Sequence, residues 1–362
     1  MKILSLIYLL NMFVLTANIK IGAITLPHGN NVEVISDWKE MTDKATIKIP
    51  KKITVVGADF SSRTIYDVIN TGDRVAIQLG YDGKNNTEFL GYVARSTSPT
   101  MPLEIQCEDE MWRLKRLQVA TKTFASGTLM DVLKYIDPIS AKDADVIDTE
   151  LGKNYLVKTG TAAGALKDIE TTFGLKSFFR LIPDATLPEG ARSILVVGKP
   201  YGSADVLTTK PVLYHMQKNV VSNDLTYSKV EDLRIKIKAV SKMPKGKGAG
   251  KGKDITVEVG DFDGDIRTMH YFNISKESLT KHANADLAIF KAEGYTGDLT
   301  GFGAPFIRHG MITAIADDMY EKRDHATNFH VDATSTTWGE GGFRRKPTIG
   351  WKAAGESVKR EK

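Results

Sequence analysis

Val32–Pro50 reads VEVISDWKEMTDKATIKIP. Val32 and Val34 flank Glu33, and Ala45, Ile47 and Ile49 alternate with Thr46 and Lys48 until Pro50 ends the run. A period of two is the mark of a strand with one face buried and one wet. The same pattern lies on both sides of this stretch. Upstream, Ala17, Ile19 and Ile21 alternate with Asn18 and Lys20, and downstream Val75, Ile77 and Leu79 alternate with Arg74 and Gln78. Turn signals separate the runs at His28-Gly29-Asn30-Asn31, Asn70-Thr71-Gly72-Asp73 and Asp82-Gly83-Lys84-Asn85. Short strands at this spacing predict a barrel or sandwich over residues 16–118.

The period then changes. Leu129, Val132, Leu133 and Ile136 fall at helical spacing, with Ser126 as the expected N-cap and Pro138 as the stop. Ala162, Leu166, Ile169 and Phe173 predict a second helix, opened by Thr161 and closed by Gly174. Short strands at Ser177–Leu181 and Ser193–Val197 complete a small α/β domain over residues 119–211. From Val212 the strand period returns: Leu233, Ile235, Ile237 and Ala239 alternate with Arg234, Lys236 and Lys238, and Ile255, Val257 and Val259 follow. One helix interrupts, from a cap at Ser275 to an expected end at Gly294, and a closing hairpin turns at Gly339–Gly342. The expected class is mainly β with an α+β insert: two β-barrel-like domains, 16–118 and 212–350, flanking the α/β domain, with a charged tail over 351–362.

Met1–Leu15, MKILSLIYLLNMFVL, is one lysine followed by an apolar run. It fits the n-region and h-region of a secretory signal, although Leu15-Thr16-Ala17 is a poor cleavage site. It fits equally an upstream extension with Met12 as the start and MFVLTANIKIGAITL as the first strand. The run is short for a membrane-spanning helix, and no membrane insertion is expected.

The net charge is +5, from 49 basic and 44 acidic residues among 362. That is a small bias for a dedicated nucleic-acid binder. The lone Cys107 excludes an internal disulfide and a cysteine zinc site, and reads as a small buried residue. Asp261-Phe262-Asp263-Gly264-Asp265 starts like a calcium loop, but Ile266 and Phe272 stand where glycine and glutamate are required, so an acidic turn is the reading. Gly198-Lys199-Pro200-Tyr201-Gly202 lacks the end of a phosphate loop. The seven histidines form no zinc-protease spacing, and no Gly-x-Ser-x-Gly elbow occurs. No catalytic, metal or cofactor residue is assigned, and no small-molecule substrate is expected.

One charge feature stands apart. Lys242 leads into the glycine-rich loop MPKGKGAGKGK, which holds Lys245, Lys247, Lys251 and Lys253 and continues from the basic strand of Arg234, Lys236 and Lys238. Runs of like charge are usually solvated. The functional alternative is a surface that docks an acidic partner or lines a passage for DNA, with docking preferred.

The order β, α/β, β with one helix resembles the phage late control protein D family, the tail baseplate hub, and the hub part of type VI secretion spike proteins. Four stretches carry the resemblance: Val32–Pro50 with its Trp38; Thr71–Tyr92; Ser275–Phe306 with its Gly-x-Leu-x-Gly-x-Gly-x-Pro; and Trp338–Gly350, WGEGGFRRKPTIG, with its arginine pair. The apolar leader and the lysine loop depart from the pattern. The resemblance implies a structural, non-enzymatic protein in a virion tail or prophage-encoded particle, assembled in the host cytoplasm. It implies a homotrimer whose paired β domains make a pseudo-sixfold ring between tail tube and spike proteins. Two other readings remain open on residues alone. One is a secreted cell-wall hydrolase or carbohydrate-binding protein, which needs paired carboxylates in a cleft. The other is a nucleic-acid-binding β-barrel, which needs exposed aromatics on a basic sheet.

Overall fold

The computed structural model describes residues 13–50, 54–56, 62–64, 68–97, 102–146, 148–151, 154–198, 210–243, 254–272, 274–320 and 328–353. Residues 1–12 of the apolar leader, the loop from 244 to 253 and the tail from 354 lie outside them. Leu15 already belongs to a strand, Leu15–Ile21.

The protein is mainly β, as the alternation predicts, and is built on one large, chiefly antiparallel sheet. Leu15–Ile21 pairs with Ile24–Leu26 on one side and Arg74–Tyr81 on the other. The sheet continues through Lys84–Thr97, Leu103–Glu108, Lys44–Ile49 and Asn31–Asp37. It then passes to the far end of the chain. Asn31–Asp37 pairs antiparallel with Asn328–Gly339, whose hairpin partner Gly342–Lys352 leads on to Gly294–Phe302 and Val220–Asn223. The first and last β regions are therefore neighbours in one sheet. Closure of either into a barrel is not seen among the described strands. The edge of Asn31–Asp37 that closure would consume is paired with Asn328–Gly339 instead.

Strand alternation sets the two faces of this sheet. Val32, Val34, Ala45, Ile47, Ile105 and Cys107 point into the core of the first region, and Trp338 and Phe343 of the last hairpin pack into that same core. Burial in this apolar setting pushes the Cys107 thiol up to about 12, so it stays protonated and inert.

The insert packs around a second core, in which Leu129, Leu166, Ile169, Phe179 and Leu195 are buried together with Met111 and Leu114 from the end of the first region. Its first helix, Leu129–Ile136, is capped by Thr128 and not by Ser126. Thr128 has the extended backbone a cap needs, and Asp131 three residues on completes a reciprocal capping box. Pro138 ends that helix as expected but opens a short one, Pro138–Ala141, and the next, Ala162–Phe173, is capped by Thr161 and closed by Gly174 in the left-handed region, as the sequence predicts.

The region after Val212 divides its strands. Some join the large sheet. Others form a separate three-stranded sheet with Ile235–Lys242 in the middle, Ile255–Gly260 antiparallel on one side and Asp265–Phe272 parallel on the other. The helix Lys276–Phe290 covers this sheet through Leu279 and Ala283, against Ile235, Ile237 and Ala239. The helix stops at Phe290, short of the expected Gly294, because Gly294 opens the strand Gly294–Phe302 and pairs with Ser228. The basic strand also starts later than its alternation suggests. A short 3-10 turn at Val230–Asp232 holds Leu233 outside the strand.

Candidate assembly surface and its buried charged joint

The basic strand presents its apolar residues to the covering helix and its cations to the other face. Two basic residues of this strand have acids close by. Arg234 pairs with Asp263, Lys242 with Asp254 at 2.7 Å, and Lys238 stands opposite Glu258 in the neighbouring strand. The Lys236 ammonium lies 5.1 Å from the ring of the exposed Phe262. Lys245, Lys247, Lys251 and Lys253 lie outside the described residues. Asp261-Phe262-Asp263-Gly264 is indeed a turn, and it carries the chain across the start of the central strand. Asp261 accepts a hydrogen bond from the Ile235 amide at 3.0 Å and pairs with Lys291 at 2.6 Å. These bonds hold its carboxyl below the ordinary range. Among the described residues, no cluster of three His, Cys, Asp or Glu is placed to hold a metal.

A second surface was not singled out from the sequence. The outward face of the large sheet runs unbroken across both β regions. One cross-strand row reads Lys346, Ser335, Ile35, Lys44, Glu108, and the next reads Arg344, Thr337, Glu33, Thr46, Gln106. Charges of both signs are interspersed, and Ile35 is the one apolar side chain in these two rows. Such a face is well hydrated and offers little to stick to.

Beneath it lies a buried charged joint between the two β regions. Arg345 is fully buried and grips Glu88 through two bonds, at 2.6 and 2.9 Å. It also donates to Thr336 Oγ1 at 3.0 Å and to the carbonyls of Gly303 and Ile307 at 3.1 and 3.3 Å. Burial opposes the charge, but Glu88 outweighs it and holds the guanidinium above its usual range. Arg308 donates to Asp43 at 2.9 Å and Ser36 Oγ at 3.0 Å, and also to the Glu88 carbonyl. Asp109 accepts from the amides of Asp43 and Met111. Desolvation raises the carboxyls of both Asp43 and Asp109.

The insert meets this joint through His309. Its ring lies 5.3 Å from Phe178 in an edge-on arrangement, and neither ring nitrogen has a hydrogen-bond partner among the described residues. Burial, then the charges of Arg308 and Arg180, push His309 well below the ordinary imidazole range, so it is neutral. None of these joint residues was picked out as functional from the sequence. One signal was legible. Alternation places Phe343, Arg345, Pro347 and Ile349 on the buried face, and an arginine in that series demands a buried acid.

No family model matches the chain, and no curated protein does. Solved structures do. A tail protein from Neisseria meningitidis MC58 matches with a TM-score of 0.58 at 15% identity, over 92% of this chain and 96% of that one. The 43 kDa tail protein of prophage MuSo2 from Shewanella oneidensis matches at 0.53 and 15%, over 92% and 97%. A type VI secretion component of E. coli, itself described as similar to the T4 tail proteins gp27 and gp5, matches at 0.51 and 9%, over 94% and 77%. With its two β regions joined in one sheet and an α/β insert packed on the joint, the chain has the fold of these phage tail and type VI secretion proteins.

Proposed function

We propose that this chain is a structural hub of a phage tail or related contractile injection particle, and not an enzyme. Three copies form a ring in which the six β regions give pseudo-sixfold symmetry, joining tail tube to spike. The observation that carries this reading is the pairing of Asn31–Asp37 with Asn328–Gly339. It makes two β regions of one chain side-by-side members of a single open sheet. That sheet ends at Ile24–Leu26 on one side and Val220–Asn223 on the other. Unpaired strand edges invite association, and head-to-tail contacts that close a cycle protect both ends at once. The mixed-charge face then lines the passage. Its interspersed signs let cargo, DNA included, slide without being held.

The basic strand and lysine loop act in docking a tube or spike protein. Arg234 and Lys242 are already paired with acids, so the docking charge is assigned to Lys245, Lys247, Lys251 and Lys253. Light scattering on the purified chain, alone and with its tube and spike partners, tests the assembly. The expected result is a particle of three chains, which Val221→Glu at the exposed end strand returns to folded monomers. A parent chain that stays monomeric with both partners present overturns the reading.

A further inference from the structure

A groove of about 550 Å³ runs along the seam between the three-stranded unit and the large sheet. One wall is Asp265–Phe272, the outer strand of the three-stranded sheet. Ile266, Arg267, Thr268 and Met269 all line the groove, although consecutive residues of a strand point to opposite faces. Both faces meet only at the strand's edge, so the groove lies against that edge. Asp265–Phe272 pairs with Ile235–Lys242 on its inner side and with no other strand among the described residues. Such an edge carries backbone donors and acceptors without a ladder partner, and a second extended segment supplies those partners.

The side chains along the edge say what that segment carries. Arg267 stands level with Ile237, on the face that the helix covers, and its guanidinium lies 6.0 Å from the Phe290 ring. Lys352 lines the groove with it. Neither cation has an acidic partner among the described residues. Asp332, the carboxylate of the lining, is already taken by Lys39 at 2.7 Å and by the Trp38 indole at 3.1 Å. Ile266 stands level with Lys236 on the opposite, open face and is 62% exposed. We propose that the groove takes an extended segment of a partner protein in which acidic residues alternate with large apolar ones. Its backbone pairs with the edge at Ile266–Met269. Its period of two turns the acids toward Arg267 and Lys352 and the apolar residues toward Ile266. The chain's own residues 354–362 are a poor occupant: Val358 is their one large apolar side chain, and Lys359, Arg360 and Lys362 outnumber Glu356 and Glu361. A nucleic acid would answer the cations but leaves the strand edge and Ile266 without partners. The groove lies within one chain, so the inference goes beyond the hub reading and does not depend on a ring.

Fluorescence anisotropy on the full chain tests this, with a labelled synthetic peptide of about eight residues in which glutamate alternates with isoleucine. The parent should bind it, more weakly as salt rises, and Arg267→Glu should bind it about tenfold more weakly or worse. Circular dichroism confirms the fold of the variant. Two further peptides need no change to the protein. One has the same composition with its glutamates and isoleucines in separate blocks, and the other is the alternating peptide methylated on every second amide nitrogen. Each should bind the parent about tenfold more weakly or worse, since the first loses the alternation and the second the backbone pairing. Bound alternating peptide should also slow hydrogen exchange within Ile266–Met269 and leave Val32 and Ile47 unchanged. Equal binding of the blocked peptide, equal binding by Arg267→Glu, or unaltered exchange at Ile266–Met269 overturns the proposal. Tighter binding of a peptide of residues 354–362, or of a short oligothymidylate, overturns it in favour of the chain's own tail or of nucleic acid. The oligomeric state of the parent bears on the hub reading alone.

Discussion

At the scale of single residues, the Arg345–Glu88 pair decides how the two β regions hold together. An ion pair out of water repays its desolvation only when geometry is good and the remaining donors are satisfied. Here Arg345 reaches Glu88, Thr336 and two carbonyls, so its donors are used. Removing one partner leaves a buried charge alone. Glu88→Ala is expected to cost about 3–5 kcal/mol, seen as a lower urea midpoint. The double change of Glu88→Leu with Arg345→Met should cost clearly less, since it removes both charges. Equal losses in the two variants would show that packing, and not charge, dominates the joint.

His309 gives the joint a pH dependence whose sign can be worked out. Its folded pKa is depressed below the ordinary value near 6.5. The unfolded chain therefore binds this proton more readily than the folded one. The neutral imidazole's contribution is fully present above about 6.5 and is lost as pH falls below it, by up to about 1.4 kcal/mol per pH unit. His330, lowered to about 4 by burial, acts in the same direction. Asp43 and Asp109, raised by burial, act in the opposite direction, because their folded forms hold protons longer. A comparison with a variant isolates the histidine. The stability gap between the parent and His309→Asn should narrow as pH drops from 7 to 5. Denaturant unfolding at a series of pH values measures it, and a gap that stays constant over that range would remove His309 as the cause.

At the scale of elements, the three-stranded unit depends on a crossing. The turn from Asp261 to Gly264 carries the chain over the start of the central strand, so two strands that are not neighbours in the sheet follow each other in sequence. The backbone passes close there. Gly260 has φ +109, and a Cβ on it would lie 2.3 Å from the Ile235 carbonyl oxygen. The Asp261 carboxylate secures the crossing by accepting from the Ile235 amide. Asp261→Ala should speed hydrogen exchange at Ile235 about tenfold while leaving the amides of Val32 and Ile47 in the large sheet unchanged. Exchange at Ile235 that is unaltered would mean the crossing is held by Gly260 and Lys291 without it.

These elements also show where the sequence was readable. Thr161, Gly174 and Ser275 announced their helix ends because caps act through groups three or four residues away. Alternation named the buried residues of Leu15–Ile21, Asn31–Asp37, Lys44–Ile49 and Arg74–Tyr81. It named the inner face of Ile235, Ile237 and Ala239 correctly, but nothing local says that a helix, and not a barrel, covers them. The acid that Arg345 grips was out of reach for the same reason: Glu88 lies 257 positions away. The counter-ions of the basic strand were closer at hand. Asp254 follows the lysine loop directly, and Glu258 faces Lys238 once the hairpin register is fixed.

At the scale of the whole molecule, the pairing of Asn31–Asp37 with Asn328–Gly339 ties the beginning of the chain to its end. A ribosome adding about 5–20 residues per second makes those partners roughly 15–60 s apart. For most of that interval the first region has emerged with one strand edge bare and with a gap in its core where Trp338 and Phe343 belong. The insert, whose core draws on no residue beyond Val197, is free to fold while the rest is still being made. The last hairpin then works as a latch, completing the early core, seating Arg345 on Glu88 and covering the waiting edge in one closing step. Until that step a nascent chain carries an adhesive strand edge and an unfinished core, so a chain still in synthesis is exposed to wrong pairings from which a finished one is protected.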